Sequence, residues 1–101
     1  MIVAVALFEL HIEHAQSLKE KRAVVKSLRE RLRNHFHIAV NEVAFQDLHQ
    51  RARLAIAFIA DANNSADSLL DTIQRFVETN TDAVVTGWTA EKLDFDEEAA
   101  L

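Results

Sequence analysis

A chain of 101 residues, half of them hydrophobic and 27% charged, is long enough for one modest core and too short for several domains. It has no cysteine, no proline and a single glycine, which excludes a disulfide framework, a thiolate metal site and a glycine-rich phosphate loop. The net charge of -5 argues against a non-specific nucleic-acid coat, yet it is unevenly placed. Residues 19–33 carry seven of the eleven basic side chains against two acids, a local +5 within an otherwise acidic chain.

Ile2 to Ile12 is rich in aliphatic residues and predicts a central strand. Alternation puts Ala4, Ala6, Phe8 and Leu10 on one face, and Val3, Val5, Leu7, Glu9 and His11 on the other. The apolar run from Met1 to Phe8 is far below the ~20 residues needed to cross a bilayer and has no basic leader. The expectation is a cytoplasmic protein without a membrane partner.

Ser17 to Phe36 predicts a long amphipathic helix. Ser17 is a natural N-cap, with Glu20 three residues on as its capping-box partner. Leu18, Val25, Leu28, Leu32 and Phe36 gather on one face. Lys19, Arg22, Lys26, Arg29 and Arg33 repeat at the same spacing as a flanking cationic row. Asn34 and His35 close the helix, and a second strand is expected over residues 37–44.

Phe45 to Gln50 reads as a loop, followed by a strand over residues 52–60 with Leu54, Ile56 and Phe58 on one face and Arg53, Ala55, Ala57 and Ile59 on the other. Asn63, Asn64 and Ser65 offer caps for a second helix, with Asp67 in its first turn and Leu69, Ile73, Phe76 and Val77 as its apolar stripe. A last strand is expected over 83–93, with Gly87 marking a bulge. Residues 1–93 then make one domain, and 94–101 an acidic, flexible tail.

The order β-α-β-β-α-β is the ferredoxin-like arrangement, an α+β fold with a four-stranded antiparallel sheet and two helices on one face. Right-handed crossovers would bring the His11–Gln16 end of the first strand, the start of the first helix, the Phe45–Arg53 segment and the end of the second helix to one edge. His11, His14, Lys19, Arg22, Gln46, Asp47, His49, Gln50, Arg51 and Arg53 are expected there, with His35 and His37 at the opposite edge. Amides near Ser17 to Lys19, with Arg51 opposite, would suit an anion.

The run S-L-K-E-K-R at 17–22, led in by E-L-H-I, and the run E-V-x-x-Q-D-x-x-Q-R at Glu42, Val43, Gln46, Asp47, Gln50 and Arg51 resemble the YlxP-like family of small bacterial proteins of unknown function. The resemblance covers the chain to about residue 80 and implies a ferredoxin-like fold. In many bacteria such proteins are encoded beside translation-initiation and ribosome-maturation factors, which implies a role near RNA. The chain departs from that pattern at Glu13-His14, where a Pro-Gly type turn is common, and at His49, where an aromatic is usual.

Several chemistries are weighed by these residues. His11, His14 and His49 with Asp47 or Glu42 have the donors of a metal site, but no short paired spacing fixes them, and no metal or other cofactor is expected. Ser17 has no evident base, and the loop I-E-H-A-Q-S lacks the glycines and arginine that an acylphosphatase-like site would use on this fold. A non-enzymatic module is therefore expected. Its leading surface is a nucleic-acid or anion-binding row of Lys19, Arg22, Lys26, Arg29 and Arg33 with Gln46, Gln50, Arg51 and Arg53, directed at RNA or a ribosomal particle. The alternative working surface is the apolar sheet face of Val3, Val5, Leu7, Ala55, Ala57 and Ile59, with Trp88 either an anchor there or, at least equally, a core residue, making a homo-oligomer, foremost a dimer.

Overall fold

The computed structural model describes residues 1–98. Its elements run β1 (Ile2–His11), α1 (Leu18–Phe36), β2 (Ala39–Ala44), β3 (Arg51–Ala60), α2 (Asn63–Thr79) and β4 (Val84–Asp94). The sheet order is β2-β3-β1-β4, with β1 antiparallel to both β3 and β4 and β2 antiparallel to β3. This is the expected ferredoxin-like α+β fold. No helix among the described residues is long and apolar enough to cross a membrane.

Alternation along the central strands decides which face takes the helices. Ile2, Ala4, Ala6, Phe8 and Leu10 of β1 and Ala52, Leu54 and Ile56 of β3 are all buried, and they meet Val25, Leu28 and Leu32 of α1 and Ala66, Leu70, Ile73 and Val77 of α2. Ile73 and Val77 of the expected α2 stripe are buried, and Ala66 and Leu70 complete it in place of Leu69 and Phe76. Leu69 and Phe76 lie at its flank, half-buried, while the smaller Ala66 lets the helix approach the sheet. Trp88 stacks on buried Phe8 with ring centroids 5.2 Å apart, so it belongs to the helix-covered side and is no anchor on the open face.

The helix ends follow their local chemistry, with two departures. For α1, the Glu20 amide donates to Ser17 Oγ at 3.1 Å, and Glu20 Oε2 accepts from the Gln16 amide at 2.7 Å, which closes the capping box. Its C-terminus runs on to Phe36 and stops at His37, whose left-handed backbone (φ 54°) lets its amide reach the Arg33 carbonyl; β2 accordingly starts at Ala39, later than the sequence predicts. For α2, none of Asn63, Asn64 or Ser65 caps the helix. Ala62 takes the N-cap position in extended backbone without a side-chain bond, and Asn64, inside the first turn, accepts the Ser65 amide through Oδ1 at 3.0 Å. Asp67 consequently falls outside the first turn and pairs with Lys92 at 2.7 Å.

Gly87 stands at the expected irregularity, where the β1–β4 register slips between Glu9 and Leu10. The sheet continues through Asp94, and Phe95 exchanges backbone hydrogen bonds with Met1. The expected tail thus begins inside the sheet, and residues 99–101 lie outside the described residues.

Because Ser17 satisfies one of the free amides of α1, Ser17→Ala should cost about 1 kcal/mol and lower the midpoint of thermal unfolding by roughly 4–8 °C. Circular dichroism melts of the two proteins check it.

Candidate functional site

The edge where β1 ends gathers the segments that topology predicted. The Ile12 amide donates to the Gln50 carbonyl at 2.8 Å, and Gln50 Nε2 donates to the carbonyls of Glu13 and Ala15 at 3.2 and 3.3 Å. Gln50 is therefore spent on holding two loops together. It is not available to read a ligand.

At the centre of this edge lies a residue that the sequence reading passed over. Lys21, in the middle of S-L-K-E-K-R, is fully buried. Its Nζ donates to the Phe45 carbonyl at 2.8 Å and forms an ion pair with Glu42 Oε2 at 2.5 Å, the one contact that satisfies this oxygen among the described residues. A buried ammonium is tolerated only where charge and carbonyl oxygen replace water, and both are supplied here. The signal was present in the sequence. Leu18, Lys21, Val25, Leu28 and Leu32 keep one 3-4 period, so Lys21 occupies an apolar-seam position, and Glu42 shares its strand phase with buried Val40.

Phe45 is the second fixed point. Its backbone has φ 64°, unusual for a bulky side chain, and its carbonyl also accepts the Leu48 amide at 3.0 Å, closing the turn. The Arg51 and Arg53 guanidinium carbons lie 4.1 and 4.9 Å from the ring centroid of Phe45. Both arginines also bind Glu9 from the neighbouring strand, Arg51 through Oε2 at 3.2 Å and Arg53 through Oε1, with its Nε at 3.0 Å. Hydrogen bonds first from Arg53 and then from Arg51 hold the Glu9 carboxyl below the ordinary value of 4.5. Of the anion seat expected near Ser17, the Arg51 side is taken by Glu9, and the capping box uses the neighbouring amides of Gln16 and Glu20.

The cationic row of α1 divides along its length. Lys19, Arg22 and Lys26 are exposed, and no carboxylate of the described residues lies within ion-pair distance of any of them. Arg33 donates to the Val40 carbonyl at 2.7 Å and so covers the free edge of β2. Arg29 is half-buried, with its Nε enclosed and unpartnered. Glu30 pairs with neither Lys26 nor Arg33. The sequence thus brought five cations to one helix side, but only three stand clear in solvent. Of the loop residues, Gln46 is exposed, while Gln50, Arg51 and Arg53 serve the joint.

No group of three or more His, Asp or Glu side chains among the described residues is placed to hold a metal ion. Glu42, one of the donors weighed for such a site, is occupied by Lys21.

A family model described as "Protein of unknown function (DUF503)" matches residues 3–89. The chain belongs to this family. It is 32% identical over 78 residues to the uncharacterized protein YlxP of Bacillus subtilis (strain 168), an alignment covering 77% of this chain and 85% of that one. The resemblance drawn from the two motifs is borne out. The structure of At3g17210 from Arabidopsis thaliana is similar over 93% of this chain and 95% of that chain, with a TM-score of 0.46 and 11% identity. In this DUF503 chain the motif residues Ser17 and Glu20 close the start of α1, Lys21 and Glu42 join α1 to β2, Gln50 ties down the β1–α1 loop, and Arg51 binds Glu9 of β1.

Lys21→Met should strand the Glu42 carboxylate and lose about 3 kcal/mol, the low end for a broken buried pair, because Glu42 keeps 16% of its side chain exposed. Adding Glu42→Leu should recover most of the loss, as urea unfolding of both variants would show. Glu9 is a depressed carboxylate, so its stabilisation is fully present above 4.5 and fades as pH falls through the lower folded value. In Glu9→Gln the melting midpoint should lose that acid-side component, leaving a shallower decline below pH 4.5 than wild type in paired thermal scans.

Proposed function

We propose that this protein is a non-catalytic docking module that engages the sugar-phosphate backbone of RNA, alone or within a ribosomal particle, through α1. The observation carrying this reading is the set of Lys19, Arg22 and Lys26, solvent-exposed and without carboxylate partners among the described residues, on a chain that is otherwise acidic. An ammonium or guanidinium already paired has little to gain from a phosphate, whereas an unpaired one releases counterions on binding. Arg29 and Arg33 extend the row toward β2. Gln46 borders it, and Gln50, Arg51 and Arg53 support it by fixing the loop. No aromatic pair stands out on the sheet face for stacking bases, so the contact reads backbone and shape rather than sequence.

The test is RNA retention. RNA should co-purify with the protein at low salt, vanish after nuclease treatment and vanish in the Arg22→Glu, Lys26→Glu double variant with its circular dichroism unchanged. With about three phosphate contacts, log affinity should fall against log salt with a slope of roughly -2. Absence of RNA at low salt, or retention unaffected by the double variant, sinks the reading.

A second reading has its own support. The open face of the sheet leaves Val5, Ile59 and Leu93 at 44%, 67% and 59% exposure, with Val3, Leu7, Ala55 and Ala57 between them. That face suits a homo-oligomeric or protein-interaction domain.

A further inference from the structure

We infer that the open sheet face seats a second copy of this chain across a two-fold axis running parallel to the strands, between β1 and β3. The inference rests on the second reading above and states how the two copies meet.

The support lies in how the two central strands differ across their shared register. On the open face Val3 pairs with Ile59, Val5 with Ala57, Leu7 with Ala55, and Glu9 with Arg53. The β1 side of the central rows is bulky and the β3 side is alanine. At the next row up, the β1 side is anionic and the β3 side cationic. A rotation of 180° about an axis along the strands preserves each row and exchanges the two columns. It therefore lays Val5 and Leu7 of one protomer on Ala57 and Ala55 of its partner, and the reverse. The same operation sets each Glu9 against the partner's Arg53.

Other symmetric arrangements fail on the same rows. An axis perpendicular to the strands in the sheet plane would bring the Glu9–Arg53 row over the apolar Val3–Ile59 row. Glu9 and Arg53, already paired within one chain, would then lose water against aliphatic carbon and gain no charge from the partner. Of the two axes, the one along the strands matches shape and charge across β1 and β3 and leaves Glu91, beside Val5, at the rim of the contact, and Phe45 beneath the two guanidinium groups already holds Arg51 and Arg53 in place on the face.

The experiment uses light scattering coupled to size exclusion on the full chain, with circular dichroism confirming that each variant is folded. Wild type should elute at twice its 11.4 kDa. Ala57→Arg, which fills the seat for Val5 on an exposed face, should run as the monomer. Glu9→Arg and Arg53→Glu should each lose the dimer, since each sets like charges across the axis; mixed in equal amounts, they should regain the dimer mass. A wild-type chain that is monomeric overturns self-association through this face altogether. A dimeric wild type with a dimeric Ala57→Arg, or with no recovery on mixing, keeps self-association and overturns this axis.

Discussion

A buried ammonium has to be surrounded by oxygen, and that requirement on Lys21 ties the first helix to the rest of the molecule. Its two partners come from different places, the Glu42 side chain in β2 and the Phe45 carbonyl where the β2–β3 loop begins. Helix α1 thus cannot rotate about its axis or slide along the sheet without leaving a charge unpaired in the core. The cost of that error is several times the worth of a surface ion pair, which is why this contact governs the placement of everything exposed on α1.

From this point two surfaces follow. With Lys21 turned inward, the residues one position on and five positions on, Arg22 and Lys26, are turned to solvent, and the cationic row lies beside the β2 edge. With Phe45 held by its carbonyl, its ring becomes a platform for Arg51 and Arg53, and these in turn clamp Glu9. The charged end of the open sheet face is therefore built by the same joint that orients the helix. Below it, β1 and β3 present aliphatic and alanine side chains, flanked by Thr89 and Glu91 of β4 and Asn41 of β2, a division that comes from strand alternation.

The roles of the motif residues shift accordingly. Gln50 and Arg51 have the chemistry of nucleic-acid contacts, but a side-chain amide bonded to two loop carbonyls and a guanidinium bonded to a carboxylate are already satisfied. Satisfied polar groups build structure. The unpartnered cations of α1 and the uncovered aliphatic rows are what remain for partners.

Strand alternation, the 3-4 spacing of apolar residues and the Ser17–Glu20 cap were enough to establish element order, fold class, the inward set of β1 and the cationic row, because each is a periodicity or a contact within a few residues. The α2 cap was misplaced by a short step and its stripe was half found, with Ile73 and Val77 as expected, since several adjacent residues could serve equally and only packing against the sheet chose Ala66 and Leu70. What tertiary structure alone decided was the partner of each charge. Lys21 with Glu42, Arg53 with Glu9 and Arg33 with the Val40 carbonyl join residues distant along the chain or on separate elements. A sequence pattern gives the phase of a side chain but not the atom it meets, and for charged groups the atom met determines whether the group holds the fold or faces a partner.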